Sequence, residues 1–218
     1  MLSALLTLLT VVSLASDKTS DHDKVVKKVG VGFQGIQAVQ IGTDAEILAP
    51  IISVRRWSSS KQGLDLGIGL GGGGNAAKDE IGSETFETKG GGRFAVALHA
   101  GVPLALANDG HFSLQVVPET RLALAVGGVP APEGSDPTSF GGFTGQLGVR
   151  VGGEVHFGFI NIPRLSLEGG VGTYVGFRTG WSKTGGDRSN NFQWTLGTRQ
   201  VNTPWDIFTG TVAARYYF

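Results

Sequence analysis

The chain has 218 residues and equal numbers of basic and acidic side chains, 18 of each, so it carries no electrostatic footprint for nucleic acid. It has no cysteine, which excludes disulfide frameworks and thiolate metal sites. Charged residues make up only 17 %, glycine contributes 36 residues without a collagen period, and no apolar run reaches the length of a transmembrane helix. That last absence leaves membrane-spanning strands open, because their hydropathy signal is much weaker.

In chain order, Met1 to Ala15 (MLSALLTLLTVVSLA) is apolar or small. It is too short to span a bilayer but suits a signal-peptide core, with cleavage expected before Ser16. Asp17 to Lys28 alternates acidic and basic residues and reads as a short solvated tail. Eight strands follow, each recognised by a period of two. The first runs from about Val29 to Gln40 and the second from Pro50 to Trp57. In the third, Leu64, Leu66, Ile68 and Leu70 alternate with Asp65, Gly67, Gly69 and Gly71. A polar, Gly-rich loop is expected over 72–91. The fourth strand, about 93–106, ends at the hairpin signal Asn108-Asp109-Gly110. The fifth covers about 112–126, with Pro118 expected to mark a bulge or bend. The sixth covers about 143–159 and the seventh about 165–178. A long loop over 179–206 then leads to the eighth, FTGTVAARYYF, from Phe208 to Phe218.

Loop lengths alternate. Connections after the second, fourth and sixth strands are short, those after the third, fifth and seventh are long, and the one after the first is intermediate. Outer-membrane barrels have this arrangement, with an even strand count, short periplasmic turns and long outer loops. The aromatics fall into two bands. Phe112, Phe157, Phe159, Tyr216 and Phe218 lie toward the end that holds the termini, and Phe94, Phe143, Phe177, Trp181 and Phe208 toward the other. Alternation by itself leaves a soluble barrel or sandwich as an alternative.

On VGVGFQG, ISVRRW, GLDLGIGLG and the terminal ARYYF, the stretch 29–218 resembles the small eight-stranded OmpA/OmpX-type outer-membrane β-barrels. The fold class is thus all-β, an eight-stranded antiparallel up-and-down transmembrane barrel. The resemblance implies outer-membrane location, with residues 16–28 as a periplasmic tail and lipids as the surrounding partner. It also implies assembly-machinery recognition of the C-terminal strand through Tyr216 and Phe218.

By parity, Arg55, Asp65, Glu119, Arg121, Arg150, Glu154, Glu168 and Arg215 face inward, four cations and four anions. An eight-stranded barrel is just wide enough for side chains to fill. A neutral ion-pair network plugging the lumen is therefore expected, with a narrow pore lined by the same residues as the alternative. No enzymatic activity, cofactor or metal site is expected, with a lipid-modifying outer-membrane enzyme as a further alternative. His111-Phe112-Ser113 lacks a placed acid, His156 near Glu154 reads as a lumen histidine, and the four histidines have no metal spacing. Gly67-x-Gly69-x-x-Gly72 matches a dinucleotide fingerprint only formally, since no helix is expected after it. The expected outer loop between Trp181 and Trp205, with Trp194 and Arg199, is the candidate for binding an extracellular ligand.

Overall fold

The computed structural model describes residues 19–43, 45–74, 77–81, 84–88, 90–131, 134–201 and 213–218. The expected signal peptide, Trp205 and residues 208–212 of the expected eighth strand lie outside these. A short helix, α1 (Asp21–Val25), precedes β1 (Val29–Ile41), β2 (Ala45–Trp57) and β3 (Gly63–Gly74). A small hairpin, β4 (Ala77–Ile81) and β5 (Glu84–Thr88), comes next. The chain continues through β6 (Gly92–Gly101), β7 (Leu104–Asp109), β8 (Phe112–Val129), β9 (Thr138–Phe157), β10 (Ile162–Thr184), β11 (Asp187–Val201) and β12 (Ala213–Tyr217). Pairing runs β1–β2–β3–β6–β8–β9–β10–β12 and returns to β1, all antiparallel, so eight strands close a ring. Closure removes the free sheet edge at the C-terminal strand.

Several boundaries differ from the sequence reading. The second strand begins at Ala45, so the connection after the first strand is a tight turn. The expected loop 72–91 contains β4 and β5. The fourth expected strand is broken at Val102-Pro103 into β6 and β7, because proline cannot donate to the ladder. Val102 bridges the break through its N–H to the Pro118 carbonyl at 2.9 Å. Pro118 itself causes no bulge against β9, where the register is unbroken from Phe112 to Val129. The expected loop 179–206 is largely a hairpin: β10 runs on to Thr184, turns at Gly185-Gly186 with Gly185 at φ +54°, and returns as β11.

The ring is apolar outside and polar inside. Leu66, Ile68, Leu124 and Leu147 are 51–67 % exposed on the outer face, while Arg55, Asp65, Arg150 and Glu154 are fully buried. Above the charged level, toward the β8–β9 loop, the lumen is filled by Val39, Ile41, Ile47, Ala49, Ile51, Ala95, Ala97, Ala123 and Ala125. β1 reaches this apolar level only by changing parity. A register shift between Phe33 and Ile36, with Gly35 at φ +99°, turns Val39 and Ile41 inward after Val29 and Val31 had pointed out. Beyond it the β1–β2 hairpin moves into the mouth. β2 pairs with β3 only as far as Ile51↔Gly69, and a Cβ on Gly71 would overlap the Leu48 carbonyl. Opposite, a Cβ on Gly142 of β9 would overlap the Gln40 carbonyl, and Gly42 donates its N–H to the Gly141 carbonyl at 3.1 Å. Alanines and glycines on the surrounding walls leave the room that this inserted hairpin occupies.

Candidate functional site

The inward side chains between the apolar level and the end holding the termini form one connected network. Arg55 lies at its centre. Its guanidinium forks onto Asp65 of the adjacent strand, Nε donating to Oδ1 at 3.0 Å and Nη2 to Oδ2. Its Nη1 reaches Glu154 on β9 at 3.2 Å, and its Nη2 lies 2.9 Å from Glu168 on β10. Glu168 also pairs with Arg150, and with Arg215 of β12 at 3.0 Å. Arg215 stands 3.6 Å from Asp65. Glu119 on β8 takes Arg150 and Arg121, each at 3.3 Å. These contacts link all eight residues that the sequence placed in the lumen.

Neutral groups add hydrogen bonds to the network, as burial of charge favours. Tyr174 donates to Glu119 at 2.6 Å, Tyr217 to Glu154 at 2.9 Å and Ser166 to Glu154 at 2.6 Å. Arg55 also donates to the Gln115 side chain at 3.3 Å, and Arg215 to the Ser53 hydroxyl at 3.3 Å. His99 bridges Glu119 at 3.3 Å and Gln34 at 3.2 Å. Sequence reasoning selected charges and passed over these partners. The same parity finds most of them, since Tyr217 follows Arg215 by two and Tyr174 follows Glu168 by six.

The N-terminal segment differs from the solvated tail expected. Ser20, Asp21, His22 and Val25 are buried, while Asp23 and Lys24 remain exposed. Ser20 and Asp23 form a capping box that starts α1. The helix seats His22 edge-on against Trp57, with ring centroids 4.4 Å apart, and 6.1 Å from His156. His22 Nε2 lies 3.1 Å from the Ser60 carbonyl. Val25, Trp57 and Tyr217 pack together beneath the charged network. Burial pushes the His22 imidazole below its ordinary value of 6.5. Burial raises the Asp21 carboxyl, but hydrogen bonds from Lys24 at 2.8 Å and His111 at 2.5 Å outweigh it and hold Asp21 below its ordinary value.

The remaining candidates are dispersed. His111 is bound to Asp21, while Ser113 is buried on the inner face. The Gly67–Gly72 motif lies wholly within β3, and the next described elements are the strands β4 and β5. Tyr216 and Phe218 are exposed on the outer face with ring centroids 5.1 Å apart, and Phe218 donates its N–H to the Val29 carbonyl at 2.9 Å. Trp194 stands on β11, 70 % exposed, rather than in a loop. Among the described residues, no cluster of three or more His, Asp and Glu is arranged to hold a metal ion.

No family model matches the chain, and no curated protein matches it. Among solved structures, the chain is similar to a major outer membrane protein from Thermus thermophilus. The identity is 16 % and the TM-score 0.44, over 88 % of this chain and 98 % of that one.

Proposed function

We propose that this chain is an integral outer-membrane β-barrel of the eight-stranded OmpA/OmpX type, without enzymatic activity, whose role is structural or one of surface interaction. Its lumen is closed by the ion-pair network and the apolar level above it. The supporting observation is the inversion of polarity: fully buried arginines and carboxylates lie inside a wall whose outer leucines, isoleucines and valines stand open. In water such a wall would aggregate, whereas lipid covers it and closure satisfies the backbone. The exposed belt extends to Phe177, Phe192, Trp194 and Leu196 on the β10–β11 hairpin, a surface suited to interfacial anchoring. Tyr216 and Phe218 would serve as the assembly signal, exposed beside the strand that closes the ring. The β10–β11 hairpin is the part most available for an external ligand.

The test is electrophoretic heat-modifiability of detergent-extracted membranes. A folded closed barrel is expected to resist dodecyl sulfate until boiled, so unboiled and boiled samples migrate differently. A protein that stays soluble without detergent and shows no shift would contradict the membrane reading.

A further inference from the structure

Outside the lumen, one cluster of side chains is not explained by packing. Lys27 and Arg56 line the same cavity of about 510 Å³ on the rim at the end that holds the termini. Their proximity follows from the backbone. Val26 bridges Trp57 in parallel, and the Lys27 N–H bonds the Trp57 carbonyl at 2.8 Å, which places Lys27 beside Arg56. Lys27 adopts φ +65°, a left-handed conformation unusual for a lysine, and holds it at this spot. Among the described residues neither cation has an ion-pair partner, although Lys24, three residues earlier, is paired with Asp21. Two adjacent, uncompensated cations repel each other, and an anion between them removes that cost.

The rest of the cavity is amphipathic. Ser58 and Gln62 lie on the turn, while Leu64 and Val102 supply an apolar wall. Arg56 belongs to the outer face by parity with Ile52 and Val54, and Leu64 to the same face of β3. Arg56 pairs in register with Val29, whose carbonyl accepts the Phe218 N–H, so the cations sit level with the terminal aromatic rim. That is the depth at which lipid headgroups meet the wall. A free inorganic anion would gain nothing from Leu64 and Val102, whereas a diacyl lipid uses both halves of the site.

We propose that Lys27 and Arg56 form a binding site for the phosphate of an anionic phospholipid, with the acyl chains lying against Leu64 and Val102. This rests on the membrane-barrel reading above. The test uses the full folded chain in mixed dodecyl maltoside micelles containing phosphatidylglycerol or phosphatidylcholine, with retained lipid counted by native mass spectrometry. At roughly fivefold per cation near a membrane surface, the wild type is expected to retain phosphatidylglycerol roughly 10- to 30-fold more tightly than phosphatidylcholine. The double variant Lys27→Gln, Arg56→Gln is expected to lose that preference while keeping its heat-dependent mobility shift. Lys183→Gln with Arg188→Gln, on the hairpin at the opposite end, is expected to leave the preference intact. Equal retention of the two lipids by the wild type would overturn the site, as would a preference that survives in the double variant. Competition by glycerophosphoglycerol as effective as by the intact lipid would overturn the lipid assignment in favour of a free-anion site. Loss of the mobility shift in the wild type would instead defeat the barrel reading on which the site depends.

Discussion

The two levels of the lumen hold the same ring together by opposite means. Around Arg55 the inner wall carries long charged side chains that meet across the lumen. Around Ile51 it carries alanine and glycine, and the space is filled by a hairpin of the same chain. The charged level is specific but fragile, because Asp65, Glu119 and Glu168 each serve two or three arginines, and removing one leaves several buried cations short of counter-charge. The apolar level is tolerant of chemistry but sensitive to volume, because it is closed by packing alone.

The largest contrast is expected from Glu168→Ala. Glu168 faces Arg55, Arg150 and Arg215, so its loss should lower stability by about 3–5 kcal/mol, read as the urea unfolding midpoint in lipid vesicles. An unchanged midpoint would mean that the charges are solvated in the membrane. In the apolar level, Ile51→Ala is expected to cost about 2–5 kcal/mol and Ile51→Val about 0.5–1.5 kcal/mol. The near-isosteric Asp65→Asn, by contrast, should behave as a severe change, because it removes the charge onto which Arg55 forks. Similar effects for Ile51→Val and Asp65→Asn in the same assay would erase the distinction between the levels.

Gly142→Val tests the inserted hairpin more selectively. Its side chain would meet the Gln40 carbonyl, so a loss of about 1–3 kcal/mol is expected. Hydrogen exchange should rise in 36–50 while the charged level stays protected. Exchange that rises evenly around the ring would show that the hairpin is not a separate element.

The smallest effect concerns the helix below the network. His22 has a folded pKa below its ordinary value, so its contribution to docking is present above pH 6.5 and is lost as pH falls. The groups facing it are Trp57, His156, Glu154 and the Ser60 carbonyl. Asp21 adds a second loss, in the range below pH 3.8. Protection factors at residues 19–26, taken relative to the intrinsic exchange rate at each pH, should therefore fall between pH 7 and pH 5 in the wild type, and His22→Gln should remove that fall. The same fall in protection in both proteins would exclude His22 as its source.

The charged level is readable in the sequence because parity alone decides it. Arg55, Asp65, Glu154 and Arg215 each interrupt an apolar alternation at inward positions. The apolar level is readable only in part. Ile47, Ala49 and Ile51 share the inward parity of Arg55 on β2, as Ala95 and Ala97 share that of His99 and Ala123 and Ala125 that of Arg121. What β1 adds is hidden, because a two-residue irregularity at Gln34-Gly35 reverses its parity, and nothing in VGVGFQGIQAVQI marks where the face changes. The β10–β11 hairpin does leave a signal, the Gly185-Gly186 turn followed by alternation through Phe192, Trp194 and Leu196. Its abundance of polar residues gives it the look of a loop. The buried N-terminal helix is hidden for the same reason, since Asp21 and His22 are polar residues that packing takes out of solvent.

The most direct test of a lumen closed at both levels is single-channel recording of the folded protein in planar bilayers. Insertion without resolvable current steps is expected for the wild type. Sustained ohmic steps from a preparation that passes the mobility-shift test would contradict closure and make the network the lining of a pore.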